Sequence, residues 1–169
     1  AARFATAQGT LGVTGELFGA LAGGYLCDRY GRRLMAGIGM LSMATVLLLF
    51  GATSMFWEAA WYPHVLLLPA FKGTLAFTTV SMFSLFMKVC WTRAAATQFT
   101  LYMAMSNLGY ALGAKWNSWI GLTGLDWGLA EFYLFGGALP LLSVLLLRGL
   151  DPDGIEARKQ AEQRALEPS

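Results

Sequence analysis

Apolar residues dominate five long runs, about Phe4 to Cys27, Leu34 to Trp57, Tyr62 to Met87, Ala94 to Ile120 and Gly128 to Leu147, while polar residues gather in the short connections between them. An α-helix rises 1.5 Å per residue, so crossing the hydrocarbon layer of a bilayer takes about 20 largely apolar residues. Each run reaches that length. The connections are too brief to hold a separate domain, and short links make successive helices antiparallel neighbours. The pattern predicts an all-α membrane protein, with five transmembrane helices inside residues 1–149 and a polar tail over 150–169.

Composition agrees with that pattern. Hydrophobic residues make up 56% of the 169 residues and charged ones 13%, about half the charged share usual in soluble domains. Where the basic residues fall then gives an orientation. One side receives Arg29, Arg32, Arg33, Lys88, Arg93, Arg148, Arg158, Lys159 and Arg164, and the other only Arg3 and Lys115. An excess of Lys and Arg marks the cytoplasmic side, so the C-terminus is expected there. On the opposite side "MFWEAAWYPH" reads as an aromatic belt, with Trp57, Trp61 and Tyr62 at headgroup level and Trp116, Trp119 and Trp127 as a second cluster. The tail opens on a helix-stopping Asp-Pro, with Asp153 as a candidate N-cap and Arg158 opposite Glu162 at i, i+4 spacing. A net charge of +2, with arginines set between apolar runs, gives no surface for nucleic acid.

The stretch "GGYLCDRYGRR", residues 23–33, concentrates charge between the first two runs. It is no phosphate-cradling loop, because GxxxxGK followed by Ser or Thr occurs nowhere in the chain. Its spacing is GxxxDRxGRR: Gly24, Asp28, Arg29, Gly31, Arg32 and Arg33. Gly24 is expected to let a helix end lie close to a neighbour, and Gly31 to permit the backbone of a tight turn. Asp28 can accept hydrogen bonds from arginines or from the N–H groups of another helix start. This loop resembles the signature of the major facilitator superfamily, found between the second and third helices of each six-helix half. The resemblance implies a conformational role in which Asp28 engages the start of the eleventh helix, here Trp91 to Gln98 in "WTRAAATQ".

A second segment extends the resemblance. "SLFMKVCWTRAAATQFTLYMAMSNLGYALG", residues 84–113, is similar to the AmpG-like branch of muropeptide permeases and acetyl-coenzyme A transporters, through Ala96, Thr97, Gln98, Phe99, Met103, Ala104, Asn107, Leu108 and Gly109. In that register the five runs are helices eight to twelve of the C-terminal half. The N-terminus "AARFATAQGT" has no initiator methionine. The chain therefore reads as a fragment, whose partners would include the missing N-terminal half.

Two charges interrupt apolar runs far from either end: Glu16, about twelve residues before Asp28, and Lys72, about ten after Tyr62. At 1.5 Å per residue both fall near mid-membrane, where an unpaired charge is costly. Opposite sign and similar depth suggest a pair, either a substrate or proton-coupling site or a structural bridge. Asn107 also sits mid-span and can hydrogen-bond across helices or line a pathway. Gly15, Gly19 and Gly23 recur every four residues, as do Gly109 and Gly113. Such small-residue stripes allow close helix packing, and the resemblance implies that they slide against the opposite half. Pro69, Gly73 and Pro140 interrupt their helices.

These features point to secondary transport of a polar solute, muropeptide-like or another small metabolite, with proton coupling, by alternating access. The other reading is a membrane protein that does not transport, either a truncated remnant or a subunit supplying helices to an assembly. Enzymatic motifs are lacking: there is one histidine, His64, and no HExxH or GxSxG. Cys27 and Cys90 read as small apolar residues, so no metal or cofactor is expected. The expected partners are membrane lipid and a small-molecule solute, and the expected location is the bacterial inner membrane.

Overall fold

The computed structural model describes residues 8–54, 62–90, 94–122 and 128–149, with positions 151, 154–155, 157–158, 160–161 and 164 of the tail. The described residues contain helices and no strand. A single π-helical turn, Gln8–Gly12, runs straight into α1 (Val13–Tyr30). The other long helices are α2 (Arg32–Thr53), α3 (Tyr62–Val89), α4 (Ala95–Leu122) and α5 (Leu129–Leu147). Arg32–Thr53, Leu67–Val89 and Ala130–Leu147 are long and apolar enough to cross a membrane. α1 and α4 are more polar. Glu16, Asp28 and Arg29 fall within the 18 residues of α1, and Gln98, Asn107, Lys115 and Asn117 interrupt α4.

The chain divides into two compact units, Ala1–Ser84 with Gly128–Gly149, and Leu85–Trp127 with Leu150–Ser169. In the first unit α2 lies antiparallel to α5, and glycines allow the close approach. A β-carbon at Gly51 would stand 3.1 Å from the Ala130 carbonyl oxygen, and one at Gly137 would stand 3.2 Å from that of Ala44. Seven residues separate the contacts on each helix, so the crossing repeats over two turns. Phe50 stacks on Tyr133 between them, with ring centroids 5.3 Å apart, and meets Phe71 of α3 edge-on at 6.0 Å. α2 also runs antiparallel to α3, with Gly39 against Thr78 and the Thr74 hydroxyl 3.8 Å from Met43 Sδ.

α1 runs parallel to α3, in a register set by its glycines. β-carbons at Gly15, Gly19 and Gly23 would meet the backbone of Pro69, Gly73 and Phe77 in turn. Both series advance by four residues, which places small residues along one helix face. Close approach on this face falls at Gly23, which is buried, whereas a β-carbon at Gly24 would meet nothing within 4 Å. The expected packing role of Gly24 therefore passes to its neighbour, because a helix turns about 100° between adjacent residues. Large apolar side chains point away from the protein, among them Phe18, 72% exposed, and Leu146, 74% exposed. Such a surface is stable in lipid, where apolar side chains need no burial against protein.

The second unit carries α4 and the last residues of α3. Phe86 and Tyr102 pack with ring centroids 5.0 Å apart, and Trp116 and Trp119 pack at 5.3 Å. β-carbons at Gly109 and Gly113 would meet nothing within 4 Å. In the tail, Asp151 Oδ1 accepts the Gly154 N–H at 3.0 Å and caps a short helical turn. Asp153, Glu162, Trp57, Trp61 and Trp127 lie outside the described residues, as does the start of the "WTRAAATQ" segment, residues 91–93.

Candidate functional site

The α1–α3 contact brings together Glu16, in the first turn of α1, and Lys72, in the middle of α3. Lys72 Nζ donates to Glu16 Oε1 at 2.8 Å, with the lysine side chain 26% and the glutamate 42% exposed. The glycine register explains the meeting. With the backbones of Gly15 and Gly19 seated on Pro69 and Gly73, residue 16 comes beside residue 72. A β-carbon at Gly12 would lie 3.6 Å from Lys72 Cγ, so the lysine stem crosses a bare stretch of the π turn. Pro69, three residues before Lys72, has no N–H for the carbonyl one turn earlier, which loosens the α3 backbone at this depth.

Paired carboxylate and ammonium groups solve the solvation problem that each poses alone. A charged side chain at the centre of a membrane helix costs about 2.5–3.5 kcal/mol on insertion scales. Charge-assisted hydrogen bonding at 2.8 Å offsets much of that cost. An open groove of about 520 Å³ borders Glu16, lined by Val13, Glu16, Leu17 and Ala20 of α1 and Leu75, Ala76, Thr79 and Val80 of α3. Its walls are apolar except for Glu16 and the Thr79 hydroxyl, which donates to the Leu75 carbonyl at 2.8 Å.

Asn107 lies on α4, in the second unit, where its side chain is exposed. Glu16 and Lys72 belong to the first unit.

The charged loop forms the second feature. Gly31 joins α1 to α2 with φ 95° and ψ 139°, a backbone that side-chain-bearing residues rarely adopt. It closes α1 by donating its N–H to the Cys27 carbonyl at 3.1 Å, and opens α2 by accepting from Met35 N–H at 3.1 Å. The next two arginines reach different helices. Arg32 Nη1 donates to the Ser84 carbonyl of α3 at 3.2 Å. Arg33 donates from Nε to the Leu147 carbonyl at 3.1 Å and from Nη2 to the Arg148 carbonyl at 2.9 Å. Those two carbonyls lie at the C-terminal end of α5, where the helix dipole is negative. Arg29 reaches back one turn to the Tyr25 hydroxyl at 3.1 Å and lies over the Tyr30 ring at 5.5 Å. Asp28 is exposed and makes no hydrogen bond or ion pair within its unit among the described residues.

Sequence reasoning did not find Gly12, Thr79 or the carbonyl partners of Arg32 and Arg33. Gly12 carries a signal that could have been read, since it continues the four-residue step through Glu16 on the same helix face. The carbonyls carry none, because every residue has one.

A family model described as Major Facilitator Superfamily matches residues 3–168. The 3-(3-hydroxy-phenyl)propionate transporter of Escherichia coli (strain K12) is 31% identical over 150 residues, covering 86% of this chain and 34% of that protein. The chain thus spans about a third of the length of the curated relative it matches. No solved structure matches it. With its family model extending over nearly every residue and three helices able to span a bilayer, this integral membrane chain belongs to the major facilitator superfamily.

Proposed function

We propose that the chain forms helices eight to twelve of a proton-coupled transporter for a small organic anion, with the Glu16–Lys72 pair as its exchange site. The observation that carries this reading is the 2.8 Å ion pair, whose Glu16 lines an open and mostly apolar groove. The substrate for which the relative is named, a phenylpropionate, is a carboxylate. In the resting pair Lys72 is neutralised by Glu16. A proton arriving at Glu16 removes that partner and leaves the ammonium ready for the solute carboxylate. Lys72 thereby exchanges one carboxylate for another, and the site is electrically neutral both in the resting pair and with proton and solute bound together. Neutrality matters because an uncompensated charge in this layer is expensive. Release follows when Glu16 loses its proton to the other side and reclaims Lys72. Gly31, Arg32 and Arg33 tie four helices together near the loop, α1, α2, α3 and α5, so they act on the conformational step and not on the solute. The C-terminus and the arginine-rich loop face the cytoplasm in this reading, and the remaining helices come from the rest of the transporter.

Residues Ala96, Thr97, Gln98, Asn107, Leu108 and Gly109 favour a second reading of the substrate, a muropeptide-like solute of the AmpG-like branch. Uptake by the full-length protein in proteoliposomes separates the two. Accumulation of 3-(3-hydroxyphenyl)propionate driven by an inward proton gradient, with Lys72→Met raising KM at least tenfold, supports the anion exchange site. Accumulation of anhydro-muropeptide alone supports the second substrate class, and Lys72→Met with unchanged KM for the transported anion refutes the role of Lys72.

A further inference from the structure

A second groove, about 310 Å³, lies between α2 and α5 at their arginine-bearing ends. Leu34, Ile38, Leu41 and Val144 give it apolar walls, Gly37 adds no side chain to it, and Arg33 and Arg148 also line it. Arg33 spends Nε and Nη2 on the carbonyls that end α5. Its remaining donors stay available, since a guanidinium has five. Arg148 is exposed and makes no hydrogen bond from its side chain to a described residue. Among the described residues, neither guanidinium is paired with a carboxylate. Two positive charges at one end of an apolar slot, on helices that cross a bilayer, complement an amphiphile with an anionic head. The slot runs along α2 from Leu34 to Leu41, which at 1.5 Å per residue is about 10 Å of depth into the hydrocarbon.

We propose that this groove holds one acyl chain of an anionic phospholipid from the leaflet on the arginine-rich side, with the lipid phosphate between the Arg33 and Arg148 guanidinium groups. Basic pockets between transmembrane helices suit such headgroups because charge attraction and chain burial act on the same molecule. A bound lipid also bridges α2 and α5 where Arg33 already joins them, so it reinforces the helix ends that the loop clamps. The inference does not depend on which solute is carried.

Native mass spectrometry of the full-length protein, titrated with dioleoylphosphatidylglycerol or with dioleoylphosphatidylcholine of the same chains, tests it. Two variants separate head from chain. Arg148→Gln removes a side chain bound to nothing else in its unit, and Gly37→Leu fills the groove at a position where a β-carbon meets nothing within 4 Å. The anionic lipid is expected to be retained over the zwitterionic one. Arg148→Gln should weaken it about fivefold, the attraction of one arginine near an anionic surface. Gly37→Leu should displace it with both arginines intact. Equal retention of the two lipids by the unaltered protein overturns the proposal. So does displacement of phosphatidylglycerol by inorganic phosphate together with unchanged binding to Gly37→Leu, which would assign the arginines to a free anion.

Discussion

Replacing Gly19 with alanine adds one methyl group at the tightest point of the α1–α3 contact. The new β-carbon would stand 2.8 Å from Gly73 Cα and 2.7 Å from its carbonyl carbon. Non-bonded carbons rest at about 3.5–4.0 Å, so the two backbones must part by about 1 Å. No flexible side chain can yield instead, because the obstructing atoms are main chain. Overpacking of this kind costs about 1–3 kcal/mol. In a domain of this size each kcal/mol lowers Tm by about 2–4 °C. The same parting lengthens the 2.8 Å Glu16–Lys72 bond, whose reach depends on the glycine register. Gly24→Ala is the control: it too lies within α1, but its β-carbon meets nothing within 4 Å, and alanine is the better helix former by about 1 kcal/mol. Thermal unfolding of the full-length protein in detergent should therefore place Gly19→Ala below the parent and Gly24→Ala at or above it. Equal Tm values for the two variants would refute the assigned register of α1 on α3.

Two other outcomes follow from the loop. Gly31→Ala forces a side chain into φ 95° and should cost about 1–3 kcal/mol, read as a lower Tm although nothing crowds the site. Arg33→Gln removes a charged fork from the end of α5, so hydrogen–deuterium exchange should quicken over residues 145–149. Arg33→Lys should restore only part of the protection, because a lysine cannot present two fixed donors.

Much of this architecture is legible in the sequence because lipid imposes simple demands. Runs of about twenty apolar residues have few alternatives to a membrane helix, and the GxxxDRxGRR loop marks the family by its spacing. Glu16 and Lys72 stand out because charge is rare in such runs, and counting residues from the ends gives them a common depth. Their contact needs more than depth. It depends on the rotation of α1 about its axis, which Gly15, Gly19 and Gly23 fix by meeting Pro69, Gly73 and Phe77. The choice between Gly23 and Gly24 is a matter of that rotation, and two adjacent glycines look alike in a one-dimensional reading. The reach of Arg33 to Leu147 and Arg148 spans more than a hundred residues and ends on backbone oxygens, which no side-chain pattern announces. The grooves are likewise products of packing, and only their lining types are visible beforehand.

The central claim is that Glu16 carries the coupling proton by leaving Lys72. Solute uptake by the full-length protein in proteoliposomes, compared for the parent and Glu16→Gln, tests it in two modes. Gradient-driven accumulation requires the proton step, whereas counterflow exchange with no gradient requires only solute binding and the conformational change. The account predicts that Glu16→Gln loses gradient-driven accumulation and keeps counterflow, because a neutral side chain imitates the protonated form. Accumulation by Glu16→Gln at the parental level under the same gradient would contradict it.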